Sequence, residues 1–450
     1  MVSWISSILL LGLAKAAESN VNATWEACDT LNTNLPGTVY FPGSSGYTNS
    51  LASYFSKEEQ ELEPSCVIQP TSSIEVSTVI KTMRMYLDHG VQFAVRGGGH
   101  TPYAGAANIE KGVTLDLSLM NEVKLSEDHK IVDLGPGGRW KKVWETLDPY
   151  NLTVTGGRDS DVGVGGFLLG GGLSYLGPIL GWGCDNIVEY EIVLASGKIV
   201  TVNKSSYSDL FLALKGGGNN FGVVTRPYDP HAAMTQSYGW SSGIGGSISN
   251  DLAYTKPVPY PTTFEGLANN VTSLSNALRI DTMGSFAAET DSYQSYNKRQ
   301  IWYTTTFAHT PEIYSTIYKI YNESVAEISN FTEMNWYLTL QPTPALNHVN
   351  SLGLDTGEER LGLALITAFY NDISSDQLVD RAAKKLIANI EAAAKKAGVY
   401  RYYKYYNYAG VGQAVIDGYG YESKSNLKAV SKKYDSKGLF QKGLPGGFKL

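Results

Sequence analysis

An α+β fold follows from three features of this 450-residue sequence. Short Val/Ile-rich runs alternate with helical stretches from Cys66 to about Arg226. Beyond Pro227 glycine thins out, Tyr, Thr and Ser rise, and strand-like alternation takes over. Two long helical patterns accompany those later strands, the arrangement of an antiparallel sheet covered by helices. The composition supports a packed core, with 43% hydrophobic and 18% charged residues. Lys plus Arg number 36 against 43 Asp plus Glu, a net charge of −7 that argues against a phosphate-backbone binder, so no nucleic acid partner is expected.

In chain order, residues 74–89 have helical periodicity through Ile74, Val76, Val79, Ile80 and Met83. A buried strand over 91–95 follows and stops at Gly97. Further strands are expected over 113–117, 131–134, 188–194 and 198–202, the last two joined as a hairpin by Ala195-Ser196-Gly197-Lys198. The stretch 227–230 is the expected domain boundary. Past it, alternation over 302–307, 336–340 and 363–369 predicts strands. Helices are expected over 311–329 and 375–397, the second closed by Gly398.

The run Trp4 to Leu13 is apolar, too short to span a bilayer, and followed by Ala14, Ala16 and Ala17, so residues 1–17 read as a secretory signal. No later run has the length of a membrane span, and a secreted, soluble protein is expected. Sequons at Asn22, Asn151, Asn203, Asn270, Asn322 and Asn330 fit a glycoprotein. Of three cysteines, Cys28 and Cys66 are expected to pair and tie down the N-terminus, leaving Cys184 as a buried thiol. His89 and His129 fall near turn-like sequence and read as solvated, His231, His309 and His348 show no metal-ligand spacing with each other or with Cys, and no metal is expected.

The 47 glycines are not spread evenly. One cluster is Arg96-Gly97-Gly98-Gly99-His100-Thr101, with Gly105 beyond, at the end of a predicted strand. Successive glycines there can turn backbone N–H groups toward one point, and Arg96 beside them suits a pyrophosphate. The second cluster runs from Gly156 to Gly172 and places backbone close against a ligand. Neither matches the Rossmann fingerprint, because Leu168 stands three after Gly165, nor the P-loop, because no Gly-Lys-Ser/Thr follows.

These clusters, with Cys184-Asp185-Asn186-Ile187-Val188, Gly216-Gly217-Gly218-Asn219-Asn220-Phe221-Gly222, Tyr405-Tyr406-Asn407-Tyr408 and the ending Pro445-Gly446-Gly447-Phe448-Lys449-Leu450, occur in one order over essentially the whole chain. The sequence resembles the vanillyl-alcohol-oxidase type of FAD-binding protein, and within it the secreted fungal berberine-bridge-enzyme-like oxidoreductases. The resemblance implies a two-subdomain FAD-binding domain over 18–230, a substrate domain over 231–400, and a segment 401–450 that returns to the FAD-binding domain. It places FAD contacts at Val95, Arg96, Gly97, Gly98, Gly99, Thr101 and Gly105, then at Arg158, Ser160, Val162, Gly163, Val164, Gly165, Gly166 and Phe167, and later at Ile187, Asn219 and Val224. His100 is the implied covalent attachment point. A second link through Cys, common in the family, has Asp159 in its place, so a single link is expected.

The implied chemistry is hydride transfer from an alcohol carbon to flavin N5 while a base takes the hydroxyl proton. On a strand, Tyr405 and Asn407 would face one way and Tyr406 and Tyr408 the other. Tyr408 is the favoured base, with Tyr405 and Asn407 lining the flavin; a purely packing role for these tyrosines is the alternative. Leu173 replaces a tyrosine that many plant members carry, and Val162 stands at the position the family associates with oxygen access. The expected activity is an oxidase using O2 and releasing H2O2, acting on a secondary metabolite or carbohydrate alcohol. A dehydrogenase with another acceptor, and a low-turnover flavin-containing binding or allergen-like protein, are the alternatives.

Overall fold

A computed structural model describes residues 21–226, 235–242, 245–252, 275, 277–344, 349–354 and 361–450. The segment 1–17, the boundary 227–230, His231, His348 and the sequon at Asn270 lie outside the described residues.

The N-terminal half is built on a four-stranded sheet of β1 (Val39–Tyr40), β2 (Cys66–Ile68), β3 (Phe93–Arg96) and β4 (Val113–Asp116), in the order β1-β2-β4-β3. β2 and β3 both run parallel to β4, and β1 runs antiparallel to β2. The helix Ser73–Tyr86 joins β2 to β3; Ser72 caps it by accepting from Glu75 N–H, and Gly90, at φ 76°, terminates the 3₁₀ turn that continues it. Val76, Val79, Ile80 and Met83 form its buried face, whereas Ile74, expected among them, is exposed. A helix over residues 21–34 packs on the same core, and Cys28 in it is disulfide-bonded to Cys66. Closing a loop of sequence separation 38 stabilises the fold by about 4 kcal/mol on the chain-entropy model. Cys184 is buried outside the disulfide.

Two smaller sheets complete this half. The hairpin of β5 (Val123–Leu125) and β6 (Val132–Leu134) is one. The other orders β8-β7-β9, from β7 (Glu189–Val193), β8 (Ile199–Asn203) and β9 (Val223–Arg226), all antiparallel. The β7–β8 turn is the hairpin expected from the sequence, with Gly197 at φ 79°.

The second half is an antiparallel six-stranded sheet of β10 (Thr235–Ser241), β11 (Gly245–Asp251), β12 (Arg299–Ala308), β13 (Asn335–Pro342), β14 (Leu361–Tyr370) and β15 (Tyr400–Arg401), ordered β11-β10-β13-β14-β12-β15. Strand alternation gives it two uses. Trp336, Leu338, Leu340, Ala364, Ile366 and Ala368 pack under the helices Pro311–Ile328 and Asp376–Lys396, against Ile313, Ile317, Val379, Leu386 and Ile390. Tyr337, Thr339, Leu365, Thr367 and Phe369 face the other way, into a large cavity. After β15 the chain returns to the first half, where Phe440 packs edge-on to Phe93. No helix among the described residues is long and apolar enough to cross a membrane.

Candidate active site

The end of β3 and the second glycine cluster meet at one wall of a cavity of about 2220 Å³. Their backbones touch: a Cβ on Gly98 would stand 2.7 Å from Gly163 N, and one on Gly163 would stand 2.6 Å from Gly98 Cα. Only glycine fits at both. Gly166, in contrast, lines the cavity with nothing within 4 Å of where a Cβ would be, so the space above it is free for a ligand.

Val95, Gly97, Gly98, Gly99, His100, Thr101, Arg158, Val162, Gly163, Gly165, Gly166, Phe167, Asn219, Val224, Tyr405, Asn407 and Tyr408 all line this cavity. Five expected contacts do not. Arg96 is buried with its guanidinium turned away, donating to Ser50 O at 2.6 Å and Ser53 O at 2.9 Å and standing 3.5 Å from Asp116. The pyrophosphate role expected for that cation is therefore corrected: Arg96 locks the helix Ser45–Ala52 against the sheet. Gly105 donates its N–H to Glu59, Ser160 donates its hydroxyl to Asp291 and its N–H to Ala287 O, and Val164 and Ile187 are core residues whose N–H groups bond Gly138 O and Cys184 O. The described arginines on the wall are Arg158 and Arg279, and Arg279 is held by Asp281 and Glu289. The glycine turns are thus the candidate cradle for a bound anion.

His100 sits flat on Phe55, ring centroids 3.8 Å apart and planes 13° off parallel. Its Nε2 is buried without a hydrogen-bond partner, 3.9 Å from Asp159 Oδ2, which is likewise buried and unpartnered. Burial, with the nearby Arg139 charge, pushes the imidazole down to about 3, so the ring is neutral and no ion pair forms. Burial raises the Asp159 carboxyl to about 7, opposed by the Asp161 N–H it accepts. A neutral imidazole on the wall of a ligand-sized cavity keeps one ring nitrogen unprotonated and is a competent nucleophile.

The segment after β15 departs from the strand expected of it. Tyr406–Tyr408 is a 3₁₀ turn, so Tyr405, Asn407 and Tyr408 reach the same cavity, and Tyr406, also on its wall, stands edge-on to Phe448. The Tyr405 hydroxyl oxygen accepts from Leu173 N–H and from Asn407 Nδ2, both at 3.0 Å. Burial, first, and the neighbouring Tyr408 push its ionisation well above the usual value. Tyr408 instead accepts from Arg158 Nη2 at 2.8 Å, and the same nitrogen donates to Gln341 on β13 at 2.8 Å. Trp302 stands edge-on to Tyr408 at 5.8 Å and to Phe55 at 6.4 Å. Sequence reading missed Phe55, Tyr175, Trp302 and Gln341; for Trp302 the usable signal was strand alternation, which turns it opposite to Tyr303.

The neutral His100 imidazole on the cavity wall, the open space above Gly166 and the paired glycine turns fit a cofactor that lies against backbone and ends at an imidazole. Residues 64–203 match a family model described as an FAD binding domain. The chain is 31% identical to the FAD-dependent monooxygenase CTB5 of Cercospora beticola, over 98% of this chain and 94% of that one. Among solved structures it is similar to 6-hydroxy-D-nicotine oxidase of Arthrobacter nicotinovorans, with TM-score 0.72 and 19% identity over 90% of this chain and 96% of that one. It is also similar to a glucooligosaccharide oxidase of Acremonium strictum with 6-S-cysteinyl, 8α-N1-histidyl FAD, with TM-score 0.68 and 17% identity over 96% and 99%.

Proposed function

We propose that this chain, which belongs to the berberine-bridge-like, vanillyl-alcohol-oxidase-type family of FAD-dependent oxidoreductases, is a secreted oxidase of hydroxyl-bearing small molecules, with FAD attached only at His100. The observation that carries the reading is Tyr408: the residue lines the cavity and its hydroxyl is held by a guanidinium. When bound, FAD supplies the two-electron acceptor and the return of electrons to O2. The protein's task is then to position a substrate hydroxyl and remove its proton. Tyr405, buried and doubly engaged through its oxygen, stays protonated and orients Leu173 and Asn407. Tyr408 Oη takes the substrate proton, and Arg158 stands where negative charge on that oxygen needs a partner. Trp302, Tyr337 and Phe369 give the substrate apolar walls that suit an aromatic metabolite or a sugar ring.

Asp159 in place of a thiol supports one link rather than two. The apolar N-terminal run, the sequons and the disulfide support an oxidising, extracellular setting. The name of the Cercospora relative supports a second reading, monooxygenation, in which one oxygen atom enters the product.

Anaerobic bleaching of the flavin by a panel of oligosaccharides and aromatic alcohols, followed by reoxidation under ¹⁸O2, separates these readings. Stoichiometric H2O2 and unlabelled product are expected; label in the product establishes the monooxygenase, and no bleaching leaves a binding protein. Replacing Tyr408 by Phe is expected to slow flavin reduction about 10²- to 10⁴-fold. Tyr405→Phe is expected to slow it less than tenfold, and equal losses in the two variants would remove Tyr408 from the role of base.

A further inference from the structure

We propose that Asp159 is the residue that makes His100 reactive toward FAD, accepting the imidazole proton as the bond to the cofactor forms; this rests on the reading of His100 as the attachment point. The two side chains face each other inside the protein through the two atoms left without hydrogen-bond partners, His100 Nε2 and Asp159 Oδ2, 3.9 Å apart. Nothing in their surroundings leaves this to chance. Phe55 fixes the imidazole plane by stacking on it. The Asp161 N–H holds Asp159 Oδ1 at 2.9 Å, which aims the other carboxylate oxygen at the ring. Arg139, bonded to Asp161 at 2.6 Å, sets a positive charge near Asp159 against the negative charges of Asp291 and Asp161.

With Asp159 opposite Nε2, that nitrogen carries the proton and bond formation falls to Nδ1. The step balances as follows. Nδ1 bonds to the 8α carbon, which loses one proton; the electron pair passes into the flavin ring; the imidazolium gives its Nε2 proton to Asp159. O2 then takes the two electrons and both protons, leaving oxidised, histidyl-linked FAD and H2O2. Burial holds the ring neutral before attachment, as a nucleophile requires, and gives the carboxyl an affinity for protons near neutrality. A carboxyl replacing a thiol beside the attachment histidine thus has work of its own.

The test is attachment itself, read without turnover. Protein produced under riboflavin limitation is mixed with FAD in air, and fluorescence retained after denaturation is followed with time and mapped by peptide mass spectrometry. Asp159→Asn is expected to fold, to bind FAD reversibly and to attach it at least about 100-fold more slowly, with Asp159→Glu recovering part of the rate. Asp159→Ala, which leaves a smaller side chain, should be as slow as Asp159→Asn. Attachment by Asp159→Asn at the native rate overturns the proposal, as does a folded Asp159→Asn protein that binds no FAD, since the carboxyl would then serve binding. Native protein with no flavin on His100 is a separate result, and it is the attachment reading that falls.

Discussion

Glu59 shows how a single buried carboxyl shapes the cavity without touching it. Fully buried, it accepts N–H groups from Gly105, Ala107 and Asn108, and so folds the loop that carries Thr101, Ala106 and Ala107 to the wall. Burial outweighs those bonds and raises the carboxyl from the usual 4.5 to about 8. The folded state therefore keeps a proton that the unfolded chain gives up, a stabilisation complete below 4.5 and lost as pH rises through 8. Glu58 and Asp159, each raised to about 7 mainly by burial, act in the same direction. His100, lowered to about 3, opposes them up to its usual 6.5, and Lys449, lowered to about 7, opposes them only above that pH. Paired surface acids such as Asp281, held near 2 by Ser285 and Arg279, act below this window. The melting temperature of the apoprotein is expected to fall from pH 5 to pH 7. Glu59→Gln should flatten that fall by up to about 1.4 kcal/mol per pH unit. An unchanged slope in the variant would mean that Glu59 does not titrate there.

Glycine separates into two functions at the level of elements. Gly163, N-cap of the helix Val164–Leu169, lies against Gly98, so Gly163→Ala must push two segments apart and is expected to destabilise the apoprotein by about 1–3 kcal/mol. Gly166, two residues into the same helix, meets nothing, and Gly166→Ala is expected to leave stability unchanged or raise it by up to about 1 kcal/mol while lowering retained FAD. Thermal unfolding of the apoproteins beside flavin content after gel filtration checks the contrast; loss of stability in both would deny that Gly166 faces the cofactor. The importance of these clusters was legible in the sequence because backbone contact demands glycine there. Which member serves contact and which serves ligand was not, since that depends on a partner 65 residues away. Arg96 was misread for a related reason: adjacency to a glycine turn says nothing of Ser50 and Asp116, which claim its side chain. The Tyr405 to Tyr408 segment was misread through its period, because aromatic residues favour strands but Asn407, by donating to Phe167 O and to Tyr405, supports a turn.

The whole molecule works as a clamp between the glycine-rich half and the six-stranded sheet. The two halves were legible from composition and period, but what fastens them was not, since it joins short polar stretches with no pattern. One fastening is Arg158, from the second glycine cluster to Gln341 and Tyr408. Another is the start of β12, where Arg299 bonds Glu61 at 2.8 Å and Asp376 at 2.6 Å, and Gln300 N–H bonds Glu58 at 2.8 Å. Trp302, three residues after Arg299, stands between Phe55 and Tyr408, so the position of β12 sets the aromatic wall beside Tyr408. Arg299 is 7% exposed while its partners are 43% and 35% exposed. Removing it leaves two carboxylates that water can partly reclaim, a smaller loss than for a fully buried pair. Arg299→Met is expected to cost about 1–3 kcal/mol, visible as a lower melting temperature, and to leave the proposed attachment of FAD at His100 unaffected, because the glycine turns and Asp159 do not depend on it. Flavin reduction in the same variant should slow as Trp302 and Tyr408 lose their fixed spacing. Native reduction kinetics at a lowered melting temperature would show instead that the fastening serves stability alone.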